Sequence, residues 1–186
     1  TIKNVALISL GCDKNRVDAE NMLYYLCGKD LVVTNDYSQA DAIIVNTCAF
    51  IESARKEAIE TILEMAEYKK SNCKRLIVTG CLSEKYRPQL IAELPEVDDF
   101  LGINEYEKIY AAIIGDENAV CPVSEHKRVL TTPAHYAYLK ISDGCNNHCT
   151  FCTIPSIRGA YKSRTIESLT VELSDLVSRV VKEVIL

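Results

Sequence analysis

The run Val5-Ala6-Leu7-Ile8-Ser9-Leu10-Gly11-Cys12 decides the fold: six residues that read as a buried strand end in a glycine turn and a cysteine. Short apolar runs bounded by turn residues mark strands covered on both faces. The same grammar recurs twice. Ala42-Ile43-Ile44-Val45 leads into Asn46-Thr47-Cys48, and Leu76-Ile77-Val78-Thr79 leads into Gly80-Cys81. Leu31-Val32-Val33 and Phe100-Leu101 add two shorter strands. Helical spacing fills the intervals. Val17, Leu23, Tyr24, Leu26 and Cys27 share a face that ends at Gly28 as a C-cap, and Ala54, Ala58, Ile62, Met65 and Ala66 line a helix through about Lys70. Tyr86, Leu90, Ile91 and Leu94 follow on a helix with Pro88 near its start, and Ile109, Ala112 and Ile113 on a last one. Strands alternating with helices imply parallel pairing, with crossover helices on both faces of an open sheet. Residues 1–115 are therefore expected to form a small doubly wound α/β domain.

Residues 116–135 contain Pro122 and Pro133 without periodicity and read as a linker. Tyr136-Ala137-Tyr138-Leu139-Lys140-Ile141 alternates as a strand. A helix with a Thr165 cap runs through Leu169, Leu173, Leu176, Val177 and Val180 toward a strand at Val184-Ile185-Leu186. Strand, loop, helix, strand over 136–186 is the opening of a second α/β domain. The absence of an initial Met and the apolar run at the end suggest a piece of a longer protein.

The composition is that of an ordinary globular protein, with 48% hydrophobic residues and a net charge of −5. Nine cysteines stand out against it. No apolar run is long enough for a membrane span, and residues 1–4 lack the pattern of a secretory leader, so a cytoplasmic location is expected. In a reducing compartment, and at an odd count, the cysteines point to metal or redox chemistry rather than a disulfide framework. The acidic balance argues against a broad nucleic-acid footprint.

Ligands of open parallel sheets bind outside the carboxyl ends of the strands. Cys12, Cys48 and Cys81 sit at three such ends, and strands about 4.8 Å apart would bring them to one edge. The first turn lacks the G-x-G-x-x-G of dinucleotide sites, which disfavours a nucleotide there. One buried cysteine is ordinary packing; three at equivalent positions suit an inorganic ligand.

The second cysteine group is Cys145, Cys149 and Cys152 within Asp143-Gly144-Cys145-Asn146-Asn147-His148-Cys149-Thr150-Phe151-Cys152. Thiolates suit zinc or iron–sulfur centres. Structural zinc usually takes four ligands in paired C-x-x-C motifs, and ferredoxin runs supply a fourth cysteine. Three cysteines around a four-iron cage leave one iron open. A non-enzymatic zinc module or an electron-transfer iron–sulfur module is the alternative reading.

Cys145-x-x-x-Cys149-x-Phe151-Cys152 resembles the signature of the radical S-adenosylmethionine (SAM) superfamily. The resemblance implies a [4Fe-4S] cluster on Cys145, Cys149 and Cys152, whose open iron chelates SAM and whose reduction cleaves it to a 5′-deoxyadenosyl radical. Pro155-x-x-Arg158-Gly159-x-x-x-Ser163-Arg164 is similar to the methylthiotransferase branch of that superfamily. The branch carries a second, auxiliary [4Fe-4S] cluster, which the resemblance assigns to Cys12, Cys48 and Cys81. Phe151 and Arg158 are expected near SAM or a cluster.

Ser9-Leu10-Gly11-Cys12-Asp13-Lys14-Asn15-Arg16-Val17-Asp18-Ala19-Glu20 is similar to the RimO-like subgroup, as are 45–51 and 79–82. That subgroup adds a methylthio group to the β-carbon of an aspartate in ribosomal small-subunit protein twelve. Ala19 and Ala49 depart from its usual Ser and Gly, at positions that are not ligands. The resemblance further implies an external electron donor, and places the rest of a partial (β/α) barrel and a C-terminal TRAM domain after Leu186. A MiaB-like enzyme acting on a modified adenosine of tRNA is the alternative within the family. Net charge favours a basic protein substrate over RNA.

Cys27, Cys73 and Cys121 have no partner at ligand spacing and read as packing or incidental thiols. His148 reads as a solvent-facing loop residue, Tyr24-Tyr25 as packing, and Glu105–Lys108 as a solvated helix face. Arg158 and Arg164 are divided between cluster-side cations and surface salt bridges.

Overall fold

The computed structural model describes residues 2–26, 31–116, 118–119 and 127–186. Cys27, Gly28, Cys121 and Pro122 lie outside them. The first unit contains β1 (Asn4–Ser9), α1 (Asp13–Leu26), β2 (Val32–Val33), β3 (Ala42–Thr47), α2 (Glu52–Glu67), β4 (Arg75–Gly80), α3 (Cys81–Glu93), β5 (Asp99–Phe100) and α4 (Ile109–Ile114). All neighbours in its sheet are parallel, in the order β2-β1-β3-β4-β5.

Side chains of a strand alternate between faces, and here each face has its own core. Ile43, Val45, Leu76 and Val78 pack with Ala58, Ile62, Met65, Leu82 and Leu90 of α2 and α3. Ala42, Ile44 and Ile77 pack with Ala19, Met22 and Leu26 of α1 and Ile109 and Ile113 of α4. Every residue of β3 is buried, which is why its sequence is a continuous apolar run. The doubly wound expectation is met.

The order reverses between β1 and β3: from β1 the chain moves outward to β2, and from β3 it moves the other way. A crevice opens at such a switch point, outside the carboxyl ends. Cys12 follows β1 and Cys48 follows β3, so two of the three strand-end cysteines flank it.

The second unit contains β6 (Tyr136–Tyr138), β7 (Ser142–Asp143), α5 (Ile154–Arg158), β8 (Lys162–Ser163), α6 (Ile166–Ser178) and β9 (Glu183–Ile185). β6 and β9 are parallel and joined through α6, over a small core of Ala137, Leu176 and Val181. Thr165 caps α6 by accepting from the Ser168 amide.

Four details differ from the sequence reading. The strand expected over 136–141 stops at Tyr138, and the chain turns into β7, which pairs antiparallel with β8. The helix after β4 begins at Cys81 itself; Tyr86 breaks it, so that Pro88 falls in the first turn of its second segment, and Ile91 faces solvent. Helix α6 ends at Ser178, and its apolar face narrows to Leu176, with Leu173, Val177 and Val180 exposed. The run Glu105–Lys108 is solvated only at Glu107 and Lys108, because Tyr106 packs against the core beside Tyr25 and Glu105 binds Arg87, Lys108 and the Gly102 amide.

Residues 127–135 of the segment read as a linker are fastened to α1. The Thr131 amide and hydroxyl donate to Glu20 at 2.7 and 2.9 Å, and Val129 N donates to the Glu20 carbonyl at 3.1 Å. Arg128 forms ion pairs with Glu20 at 3.0 Å and with Glu172 of α6 at 2.7 Å.

Candidate metal centre

The register of the sheet sets the first cysteine group. Ser9 pairs with Asn46, and Thr47 with Gly80, so Cys48 and Cys81 are the next residues on adjacent strands. Cys12 stands just beyond β1, after Gly11. A Cβ on Gly11 would lie 2.7 Å from the Cys48 Cβ and 3.0 Å from its Sγ. The glycine thus lets the turn before Cys12 lie against Cys48. Gly80 has φ +92°, and a Cβ there would lie 2.5 Å from both Asn46 Oδ1 and the Thr47 carbonyl. Cys48 and Cys81 are buried and Cys12 is exposed.

Asn15, one turn into α1, ties these ends together. Its Nδ2 donates to the carbonyls of Leu10 and Thr47, both at 2.9 Å. Its Oδ1 accepts from the Cys81 thiol at 3.6 Å and from Arg158 Nη2 at 2.7 Å. Arg158 Nη2 also lies 3.7 Å from Cys81 Sγ. Burial pushes the Cys81 thiol up to about 11, against the pull of that guanidinium.

Arg158 comes from α5, directly after the second cysteine loop, yet its side chain is only 6% exposed and faces the first group. It pairs with Asp18 of α1 at 3.2 Å and with Asp143 at 3.0 Å. Lys140 pairs with the same two carboxylates, at 2.6 and 3.2 Å. Burial opposes charge at Asp143, but Lys140 and Arg158 hold its carboxyl below the usual range. Burial likewise opposes charge on Lys140 and Arg158, and the carboxylates of Asp18 and Asp143 outweigh it and raise both. The four side chains form two interlocked ion pairs.

The second cysteine group occupies the loop between β7 and α5. Gly144 has φ +73°, and a Cβ would meet the Ala160 carbonyl oxygen at 2.2 Å, so only glycine lets the loop base pass this close to 159–160. Cys145 N donates to the Gly159 carbonyl at 3.1 Å, and Tyr161 N to Asn146 Oδ1 at 2.9 Å. Within the loop, Cys152 N donates to the Cys149 carbonyl at 3.0 Å and Asn147 N to Cys145 Sγ at 3.5 Å. His148 is exposed, with φ +48°. Phe151 is 88% exposed.

Both groups have the chemistry that thiolate-ligated iron–sulfur cages require: three thiols each, glycine at the close approaches, and N–H donors aimed at sulfur. Among the described residues, no three His, Cys, Asp or Glu side chains are gathered around one point as a single ion would need. A cage with irons at separate corners does not demand that convergence. Cys73 is buried and donates to the Arg75 carbonyl, in line with its reading as a packing residue. Arg164 serves α6 through Ser168 and Glu172.

Sequence reasoning gave no role to Asn15, Asp18, Lys140 or Asp143. Asn15 and Asp18 lie three residues apart inside the stretch that carries the family resemblance, on a helix buried on two sides. Polar residues at buried helical spacing were the signal.

A doubly wound α/β domain with cysteines at its switch point, clamped to a βαβ unit bearing a three-cysteine loop, defines the class of molecule. Residues 4–102 match the model of a family described as uncharacterized protein family UPF0004. The chain belongs to this family. It is 50% identical over 192 residues to the ribosomal protein uS12 methylthiotransferase RimO of Clostridium novyi, covering 98% of this chain and 43% of that protein. The proteins of the same name from Clostridium tetani and Clostridium kluyveri are also 50% identical, over 190 and 194 residues, and 43% of each is covered. The chain thus spans less than half the length of these relatives, and their name agrees with the RimO-like resemblance of residues 9–20. Among the described residues no helix is long and apolar enough to cross a membrane.

Proposed function

We propose that this chain is the N-terminal part of a radical SAM methylthiotransferase that modifies ribosomal protein uS12. The observation that carries the reading is the pairing of two three-cysteine groups, one at aligned strand ends and one in a C-x-x-x-C-x-x-C loop, joined by buried ion pairs. The names of the half-identical relatives support the substrate. An external electron donor and a cytoplasmic location belong to the same reading.

Cys145, Cys149 and Cys152 would hold one [4Fe-4S] cluster, and Cys12, Cys48 and Cys81 the other. Bound there, the clusters and SAM supply the reductive generation of a carbon radical and the carriage of the sulfur to be transferred, chemistry that no side chain provides. The chain's own work is placement. Gly144 and the Cys145 N–H to Gly159 bond fix the loop base. Phe151, exposed on the loop, would lie near SAM or the cluster, and Asp18 and Glu20 hold the loop's unit against the sheet.

The test uses the full-length protein, reconstituted anaerobically with iron and sulfide, and given methyl-labelled SAM with uS12 or with tRNA. Label is expected in uS12. Label in tRNA and none in protein would overturn the substrate, and bound zinc without acid-labile sulfide would overturn the class.

A further inference from the structure

Arg158 lies in the segment that follows the SAM-type cysteine loop, and the family resemblance places it near SAM or a cluster. Apart from Asp143 of its own unit, the partners of its side chain, Asp18, Asn15 and Cys81, lie in the first unit. We infer that Arg158 is a positioning residue for the Cys12, Cys48 and Cys81 site, holding the Cys81 sulfur and making the electronic state of that site depend on the docking of the second unit. The inference rests on the reading of these cysteines as cluster ligands.

Three observations carry it. Arg158 Nη2 reaches Cys81 Sγ at 3.7 Å and Asn15 Oδ1 at 2.7 Å, and Asn15 in turn binds the carbonyls at the ends of β1 and β3. One guanidinium and one amide therefore link all three strand ends. The side chain is almost wholly buried, so its charge acts with little screening by solvent. It pairs with Asp143 of its own unit and with Asp18 of α1, so Asp143 steadies the side chain while its reach to Asp18, Asn15 and Cys81 exists only when the units are docked.

The local charge balance gives the direction of the effect. Asp18 and Asp143 are offset by Arg158 and Lys140, and Lys14 approaches Asp143 at 3.8 Å. Without the guanidinium, Asp18 and Asp143 keep Lys140 as their main counter-charge, and the Cys81 sulfur loses its cationic neighbour. A cation and an N–H donor at a ligating sulfur favour the reduced, more negative state of a cluster. Replacing Arg158 by a neutral residue therefore lowers the reduction potential of this site. Lysine retains the charge but loses the planar fork that reaches Cys81, Asn15 and both carboxylates together.

The experiment uses full-length protein in which Cys145, Cys149 and Cys152 are all alanine, so that only the first site assembles. Iron and sulfide per chain, thermal midpoint and an EPR-monitored redox titration are measured for this protein and for its Arg158→Gln and Arg158→Lys forms. The expected result is a lower potential for Arg158→Gln, with Arg158→Lys falling between it and the parent. Equal potentials in three proteins with equal iron content would overturn the inference. So would Arg158→Gln, in protein with all six cysteines, losing the iron of the second site and keeping that of the first. A Gln variant too unstable to load leaves the Lys variant as the measure, and an unshifted potential there overturns the inference. A parent protein that binds no iron refutes the cluster reading itself.

Discussion

Gly80 and Gly159 form a matched pair that separates backbone strain from steric exclusion. Gly80 adopts φ +92°, ψ −160°, and Gly159 adopts φ +72°, ψ −162°. Both lie in a region that L-residues avoid, at a cost of about 1–3 kcal/mol. Their surroundings differ. A Cβ on Gly159 meets nothing within 4 Å, whereas on Gly80 it would sit 2.5 Å from the Thr47 carbonyl and 2.8 Å from its amide. Those atoms belong to β3, the fully buried strand beside β4, and they have no flexible side chain to yield. Overpacking of this kind adds about 1–3 kcal/mol. Gly159→Ala should therefore cost about 2 kcal/mol and Gly80→Ala about 4 kcal/mol. With a urea slope of about 2 kcal/mol/M, the midpoint of Gly80→Ala should lie about 1 M below that of Gly159→Ala. Urea unfolding of the two variants, followed by circular dichroism, gives the comparison. Equal midpoints would show that β3 and β4 separate freely at this point, and the account of how Cys48 and Cys81 are kept level would fail. A second consequence is lower iron binding at the first site in Gly80→Ala alone.

Glu20→Ala leaves Arg128 buried beside a missing carboxylate and removes the acceptor of Thr131; a loss of about 3–5 kcal/mol is expected, read as a lower thermal midpoint. Burial alone would raise the Glu105 carboxyl, but bonds from Lys108, Arg87 and the Gly102 amide hold it down at about 2. Its contribution is thus present above the ordinary carboxylate range and disappears as pH falls toward 2, so the stability gap between the parent and Glu105→Gln should close over that window in acid titrations. Thr165→Ala removes the cap on the Ser168 amide and should cost about 1 kcal/mol, with faster hydrogen exchange at that amide. In the full-length protein, Cys145→Ala should halve the iron content and abolish SAM cleavage while the spectrum of the first site persists.

The sheet was legible because β1, β3 and β4 are covered on both faces and so write themselves as apolar runs ending in glycine or a small polar residue and cysteine. The first cysteine group was legible by its repetition. The end of β6 was not, because alternation continues through Ile141 while the chain must turn for Lys140 to reach Asp18 and Asp143. The start of α3 was hidden for a different reason: Pro88 signals a first turn, and only the break at Tyr86 shows that it is the first turn of a second segment. The part played by Arg158 was beyond reach, since its bond to Cys81 joins residues 77 apart. Local pattern carries no information about a contact made by docking.

Helix α1 answers to two folding units at once. Its apolar side completes the sheet through Ala19, Met22 and Leu26, while Asp18 and Glu20 point away to Lys140, Arg158, Arg128 and Thr131. A chimera of two relatives that swaps the first unit at the linker would cut across these pairs even with both folds intact. To exchange cleanly, residues 128, 140, 143 and 158 must travel with α1 from the same parent, so the unit of inheritance here is the ion-paired seam and not the domain.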